Sequence, residues 1–159
     1  MYLEAPIYHL PGEFTDTSKA VFLGGSITGA SDWQADAATK LVLAGLTVCN
    51  PRRNSFDLTD PTAERQQITW EHTYLSLCSL QFFYFAPETL APITLFEYGA
   101  TLESVKYAPY KKIYVAVHPE YKRKHDVYIQ TELRNPQWLR NIREDVNETL
   151  NLLIKENGS

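Results

Sequence analysis

Two glutamates lie in apolar segments where a carboxylate can do chemistry. Glu97 follows a proline-broken loop and is predicted to lie in the first turn of a helix, and Glu71 lies on the preceding predicted helix, beside its apolar face. Two carboxylates that converge on one cleft are the arrangement that breaks a glycosidic bond, because one attacks or stabilises the anomeric carbon while the other manages the proton of the leaving group. Glu88, in the loop before Glu97, is a third candidate acid.

The two main acids also have structural interpretations. Thr94 and Glu97 have the spacing of a capping box, in which the glutamate accepts a hydrogen bond from the backbone N–H of the threonine. The positive end of the helix dipole would then keep Glu97 ionised, so the two roles are compatible. For Glu71 the alternative is a solvated charge at the border of an apolar helix face.

A glycine-rich turn follows the first apolar strand. It begins with Gly24, Gly25, Ser26 and Ile27, and the hydroxyls of Ser26 and Thr28 come just before a predicted helix. Backbone N–H groups and hydroxyls in such a turn can bind a phosphate or a sugar hydroxyl. The turn has neither the GxGxxG nor the GK[ST] pattern, which disfavours a dinucleotide site or a P-loop. The alternative is a tight turn that needs glycine for a positive φ.

A pair of arginines follows the second predicted strand, in the run Asn50-Pro51-Arg52-Arg53. An arginine at this position can hold a carboxylate or a phosphate through two parallel hydrogen bonds. The alternative is a solvated loop pair. Arg52 is nearer the end of the strand, and it is the residue that we predict to bind.

Short apolar strands alternate with amphipathic helices along the chain. Strands are predicted at 20–23, 46–49, 80–85 and 113–117, and helices at about 32–44, 61–79, 95–107 and 136–153. Such strands form a parallel sheet covered on both faces, so we expect a single domain, residues 1–159, with a flavodoxin-like three-layer α/β/α sandwich. Residues 2–10 could add an edge strand. The acids, the turn and the arginines would meet at the carboxyl edge of the sheet, where open α/β folds bind ligands.

Composition argues against several classes of protein. The 159 residues are 44% hydrophobic and 21% charged, which is typical of a globular protein, and the net charge of −4 argues against a nucleic-acid partner. No apolar run approaches the length of a membrane span, and the first residues do not resemble a secretory signal, so we expect a cytoplasmic protein without a membrane partner. Cys49 and Cys78 are expected to be buried free thiols. The four histidines lack metal-ligand spacing, so no metal or other cofactor is expected.

Three motifs, taken in order, carry a resemblance to a known family. They are the glycine turn within residues 22–29, the Trp70-Glu71 pair, and residues 96–100 around Glu97. Together they resemble the nucleoside 2-deoxyribosyltransferase family over roughly residues 20–117. They especially resemble a divergent branch that carries the Asn-Pro-Arg-Arg run after its second strand, and the related deoxynucleoside 5′-monophosphate N-glycosidases.

The resemblance implies that Glu97 is the nucleophile of a covalent deoxyribosyl-enzyme and that Glu71 is an acid that contacts the leaving base. It implies a small-molecule nucleoside or nucleotide and a free base as ligands, and a homo-oligomer in which a neighbouring subunit can complete the site. The other predicted substrate-binding residues are Gly24, Gly25, Ser26, Ile27, Asn50, Arg52 and Glu88. The transferases usually carry an acid shortly before the nucleophile that helps to hold the 5′ hydroxyl, whereas residues 90–93 are uncharged here. We therefore expect 5′-monophosphates to be used at least as well as nucleosides.

Two alternatives stay open at this point. One is an enzyme that only hydrolyses the bond of a nucleotide, since hydrolysis and transfer share the glycosyl-enzyme. The other is a non-catalytic Rossmann-like module that binds a nucleotide derivative. Glu71 and Glu97 pointing into one pocket would favour an enzyme, whereas Glu97 folded onto its own helix cap with Glu71 in solvent would favour the binding module.

Overall fold

The computed structural model describes residues 1–8, 16–53 and 56–159. In these ranges a six-stranded sheet has the strand order β1-β3-β2-β4-β5-β6, and every neighbouring pair is parallel. The strands are β1 Tyr2–Glu4, β2 Ala20–Gly25, β3 Thr47–Asn50, β4 Leu80–Phe85, β5 Lys112–Val117 and β6 Ile142–Arg143. The α-helices are α1 Trp33–Leu43, α2 Ala63–Leu77, α3 Pro92–Ser104, α4 Lys124–Arg134 and α5 Val146–Asn157.

The sheet is buried on both faces because its central strands carry apolar side chains at nearly every position. Successive side chains of a strand point to opposite faces. Phe82 of β4 accordingly packs in a core with Trp33 of α1 and Leu150 of α5, while Phe83 packs in a second core with Tyr98 of α3. A third core, around Trp70, joins α2 to β2 and β3. These layers confirm the flavodoxin-like α/β fold.

The strand order places a switch point between β2 and β4. The chain passes from β2 to β3 on one side and later returns to β4 on the other side, so the connections leave the sheet in opposite directions. Ligands of open α/β folds bind in the crevice that this reversal creates at the carboxyl ends of the strands. The glycine turn after β2 and the loop after β4 border this crevice.

The N-terminal half of the chain follows the prediction closely. The strand at 80–85 has the predicted bounds, and the proposed edge strand is present as β1, which pairs with β3; residues 9 and 10 of that prediction lie outside the described ranges. Helix α2 begins at Ala63 and not at Pro61, because the Asp60 carboxylate accepts hydrogen bonds from the N–H and the hydroxyl of Thr62 and holds a turn before the helix.

The predicted single C-terminal helix is wrong. Residues 124–134 form α4, which the sequence prediction missed, and Pro136–Asn141 then form a 3-10 helix. β6 follows and pairs with β5. A new helix, α5, then begins at Val146 after the N-cap residue Asp145, whose side chain accepts a hydrogen bond from the N–H of Glu148. The apolar residues that suggested one helix therefore belong to three elements. Nowhere in the described ranges is a helix long and apolar enough to cross a membrane.

Candidate functional site

A cavity of about 520 Å³ opens at the carboxyl ends of β2 and β4. Its walls come from the turn after β2, the segment after β3, one face of α2, and the loop that leads into α3. The residues that line it are Gly25, Ser26, Ile27, Thr28, Pro51, Phe56, Glu64, Gln67, Ile68, Glu71, Thr89, Leu90, Ala91, Pro92, Ile93, Thr94 and Glu97. Carboxyl groups from α2 and α3 thus face one space.

The start of α3 sets the position of Glu97. Ala91 precedes the helix with φ 50° and ψ 58°, a left-handed conformation that is unusual for a residue with a side chain, and Pro92 is the first helical residue. The predicted capping box is therefore wrong, because Thr94 already lies inside the helix and no side chain caps it. Glu97 lies in the second turn of α3 and not in the first.

Two hydrogen bonds hold the loop before α3 in this conformation. The Tyr121 hydroxyl donates to the carbonyl oxygen of Leu90 at 2.6 Å, and the hydroxyls of Ser26 and Thr89 are hydrogen-bonded to each other. The second bond joins the turn after β2 to the loop after β4 across the crevice. Left-handed backbone at a residue with a side chain costs about 1–3 kcal/mol, so these contacts contribute to keeping Ala91 in place.

Glu97 is held in a surrounding that disfavours its charge. Burial, and secondly the charge of Glu71, raise the pKa of Glu97 to about 8. Among the described residues no hydrogen bond or ion pair reaches its carboxyl group. The expectation that a helix cap keeps Glu97 ionised is therefore wrong, because Glu97 is not part of a helix cap and its surroundings favour the protonated form.

Glu71 lies in a different environment, although it lines the same cavity. It is half-buried, and Gln67 Nε2 donates to its Oε1 at 2.8 Å. Burial raises the pKa of Glu71, whereas the hydrogen bond from Gln67 and the positive charge of Arg53 lower it. Glu71 is thus not a solvated surface charge. The two carboxyls differ in that the anion of Glu71 has a donor and a nearby cation, whereas the anion of Glu97 has neither.

Comparison with known families bears on this site directly. The family model for nucleoside 2-deoxyribosyltransferase-like proteins matches residues 18–121. The chain belongs to this family. No match to an individually curated protein is found. The matched range begins before β2 and ends beyond β5, so it includes the glycine turn, α2 and α3, which supply most of the cavity wall.

Only part of the predicted glycine turn lines the cavity. Gly25, Ser26 and Ile27 line it, whereas Gly24 does not. A β-carbon at Gly24 would lie 2.5 Å from the ring of Phe83, so that glycine is required for packing inside the strand. The positive φ that the alternative interpretation called for occurs at Gly29, where φ is 78°.

Arg52, predicted to bind an anion, has its guanidinium outside the cavity lining. Its Nη1 donates to the carbonyl of Ser31 at 2.7 Å and to Gln34 Oε1 at 3.1 Å, and its Nη2 donates to the carbonyl of Ala30 at 3.2 Å. Arg52 therefore ties the segment after β3 to the start of α1. Its hydrogen-bonding capacity is largely used by the protein itself.

The charge of the neighbouring arginine, Arg53, acts on Glu71. The guanidinium of Arg53 lies 4.3 Å from the centroid of the Phe56 ring, and its Nη groups donate to Gln66 Oε1 and to the carbonyl of Ala63. Its charge lowers the pKa of Glu71, and the ring that it covers lines the cavity. Arg52 was predicted to bind because it is nearer the end of the strand. Distance from the strand end does not determine where an arginine side chain points.

Two further predicted binding residues do not line the cavity. Asn50 is buried, its Nδ2 donates to the Tyr2 hydroxyl at 2.9 Å, and its Oδ1 accepts from the N–H of Arg52 at 2.9 Å. Glu88 is exposed in the loop before α3. Gln67 and Thr94, in contrast, line the cavity and were missed. The helical spacing of Gln67 and Glu71 was the available signal for the first of these.

The charged side chains that line the cavity are all acidic. Its described residues include Glu64, Glu71 and Glu97 but no lysine, arginine or histidine. Nowhere in the described part of the chain do three histidine, cysteine, aspartate or glutamate side chains form a group that could hold a metal ion. What the site offers is a pair of differently tuned carboxyls beside hydroxyl and amide groups, which suits proton transfer and nucleophilic attack.

Proposed function

We propose that this protein cleaves or exchanges the N-glycosidic bond of 2′-deoxynucleosides through a deoxyribosyl intermediate on Glu97. The observation that carries the proposal is that Glu71 and Glu97, from two different helices, line one cavity at the switch point of the sheet. Membership of the nucleoside 2-deoxyribosyltransferase-like family supports a nucleoside-type substrate. A module that only binds would not need two acids in one cavity.

The reaction uses each acid once per half-cycle. The Glu97 carboxylate forms a bond to C1′ of the sugar while the bond from C1′ to the base nitrogen breaks, and the departing electron pair stays on the base. A proton from Glu71 neutralises the base. An acceptor base or a water molecule then attacks C1′, releases Glu97, and returns a proton to Glu71. Transfer and hydrolysis differ only in the acceptor.

The proton balance of the pair explains why two acids are needed. Attack requires Glu97 ionised and Glu71 protonated, so the reactive state holds one proton between the two carboxyls. In the free protein that proton resides mainly on Glu97, whose pKa is raised by burial and by the charge of Glu71 to about 8. The proton must therefore move from Glu97 to Glu71 before attack. Above about pH 8 the pair loses its last proton, and we expect kcat/KM to fall there.

The preference for a deoxy sugar follows from the chemistry. Without a 2′ hydroxyl the oxocarbenium-like transition state is easier to reach, so a carboxylate and one proton donor suffice. The cavity favours nucleosides over their 5′-monophosphates, because its described lining has acidic side chains but no lysine, arginine or histidine, and the Arg52 guanidinium is engaged elsewhere. This reverses the expectation from sequence, which relied on Arg52 to hold the phosphate.

A substrate panel tests the proposal. Purified protein is incubated with 2′-deoxynucleosides, ribonucleosides and deoxynucleoside 5′-monophosphates, with and without an acceptor base, and the mixtures are analysed for free base and for new nucleoside. We expect release from deoxynucleosides, its loss in Glu97→Gln, and wild-type rates in Glu132→Gln, which changes an exposed glutamate on α4.

The panel also separates the alternatives. Free base without new nucleoside identifies a hydrolase, and release from monophosphates in preference to nucleosides contradicts the charge argument. If Glu97→Gln keeps activity within about tenfold of wild type, Glu97 is not the nucleophile. If no base is released from any substrate, the enzymatic proposal fails and the binding module becomes the better interpretation.

A further inference from the structure

The side-chain amide of Gln67 joins Glu71 to the backbone after β3. It is on α2, one turn before Glu71, and both of its donor hydrogens are used. Nε2 donates to the carbonyl oxygen of Pro51 at 2.7 Å and to Glu71 Oε1 at 2.8 Å. Both partners are acceptors, so the orientation of the amide is fixed by the two bonds. Gln67 therefore connects the backbone after β3 with an acidic side chain of the site.

This arrangement leaves the other half of the amide without a partner. Gln67 Oε1 is buried and accepts no hydrogen bond within the described residues. A buried acceptor without a donor is unfavourable, and a methionine of similar length would avoid it. Packing alone therefore does not require a glutamine at this position. What a methionine would lose is the donation to Pro51 and Glu71.

The charged groups that face the carboxyl pair come from three segments. Glu64 lines the cavity from α2, Glu97 lines it from α3, and Arg53 acts on Glu71 from the segment after β3. Arg53 favours the anion of Glu71 but makes no hydrogen bond to it. Gln67 is, within the described residues, the group that donates directly to either carboxyl of the pair.

We propose that Gln67 is a positioning residue that, in addition to the burial of Glu97, favours the arrangement in which Glu97 holds the shared proton. By donating to Glu71 Oε1 it stabilises Glu71 as the anion and thereby leaves the proton on Glu97. Its bond to Pro51 holds the amide in the orientation that allows this donation. The consequence for catalysis rests on the proposed function, because there the proton must pass from Glu97 to Glu71, and Gln67 sets how unfavourable that transfer is.

Direct titration of the two carboxyls tests the proposal without any substrate. Protein labelled with ¹³C at the glutamate side-chain carboxyls is titrated by NMR, and the two signals are assigned with Glu71→Gln and Glu97→Gln. In the wild type we expect Glu97 to have the higher midpoint. In Gln67→Met the midpoint of Glu71 rises by about one pH unit, because a hydrogen bond to the anion is lost, and the two midpoints converge.

The matched control is Gln130→Met. Gln130 also makes an i,i+4 side-chain bond on a helix, to Arg134 Nε at 2.9 Å, but it lies on α4 away from the carboxyl pair. It should move neither midpoint. If Gln67→Met does not fold, as judged by near-ultraviolet circular dichroism, Gln67→Leu replaces it. Leucine has no donor, so it removes the bond to Glu71 just as methionine does, and the Glu71 midpoint should rise in the same way.

The outcomes distinguish this proposal from the proposed function. A Glu71 midpoint that stays within about 0.3 pH units of wild type in the folded Gln67 variant overturns the role of Gln67, whatever the enzyme assay shows. Convergent midpoints in a protein that releases no base support the role of Gln67 and remove the proposed function. Where base is released, Gln67→Met should also move the limbs of the kcat/KM pH profile, which a general loss of stability would not do.

Discussion

Replacing Glu97 by glutamine should make the protein more stable at alkaline pH, although it removes the proposed nucleophile. Glutamine has the same size as glutamate and no charge. In the folded protein, burial and the charge of Glu71 raise the pKa of Glu97 from 4.5 to about 8. The unfolded chain ionises near the ordinary value, so between these two pH values folding takes up a proton at Glu97.

The sign and size of the effect follow from this linkage. The unfolded state binds fewer protons than the folded state between about pH 4.5 and 8, so the free energy of unfolding of the wild type falls as pH rises through this window. Each pH unit is worth about 1.4 kcal/mol, which gives an upper bound of about 5 kcal/mol over the whole window. The cavity is open to water, which weakens the desolvation of the anion, and we expect about 2 kcal/mol.

Urea unfolding of both proteins at pH 5 and at pH 8.5 measures this difference. At pH 5 we expect the two free energies of unfolding to agree within about 0.5 kcal/mol, and at pH 8.5 we expect Glu97→Gln to be the more stable by about 2 kcal/mol. Glu132→Gln, an exposed replacement of the same chemistry, should show no such change with pH. A stability difference that is the same at both pH values, or that favours the wild type at pH 8.5, would refute the placement of Glu97 as a half-buried, proton-carrying acid.

Three further results are expected. Glu71→Gln should slow base release more for poor leaving bases than for good ones, because glutamine cannot give a proton to the leaving base. For the same reason the variant should not show the fall of kcat/KM above about pH 8. Equal slowing for all bases would make Glu71 a positioning residue. Gly24→Ala should destabilise the fold by about 1–3 kcal/mol in urea unfolding, since its β-carbon would meet an aromatic ring at 2.5 Å. Gly99→Ala on α3 should stabilise the fold by up to about 1 kcal/mol, since a β-carbon there would meet no atom within 4 Å apart from the nearby backbone of its own helix. Arg52→Ala should lower stability by about 1–3 kcal/mol and leave the ratio of kcat/KM for nucleoside and monophosphate unchanged; a selective loss with the monophosphate would restore Arg52 as a phosphate ligand.

The fold was predictable where a single helix or strand has a single pattern of apolar residues along its whole length. The strand at 80–85 is apolar throughout, and both of its bounds came out as predicted. The C-terminal region failed for the converse reason. A helical period continues there by coincidence across a 3-10 helix, a two-residue strand and α5. Pairing with β5 creates the strand that interrupts the helical pattern, and that is a contact between distant parts of the chain.

The convergence of the two acids was predictable from topology, but their protonation was not. Parallel strands bring their carboxyl ends to one edge, so the segments after β2 and β4 had to meet. The protonation of Glu97 depends on its burial and on the charge of Glu71, and neither follows from a sequence pattern. It depends also on a donor that reaches Glu71 and not Glu97.

A nucleophile without hydrogen-bond donors has a consequence for catalysis that offsets its unfavourable ionisation. Burial and the charge of Glu71 raise the pKa of Glu97 to about 8, so in the free protein the reactive arrangement, with Glu97 ionised and the proton on Glu71, is less populated than the reverse arrangement. Without hydrogen-bond donors, the ionised carboxylate of Glu97 is more basic. The positive charge that develops on the sugar in the transition state then stabilises this carboxylate more than it would stabilise one that already accepts hydrogen bonds. Adding a donor to Glu97 would raise the ionised fraction and weaken the interaction that grows in the transition state. On this reasoning, the absence of a donor at Glu97 serves catalysis, since a donor there would stabilise the reactant more than the transition state.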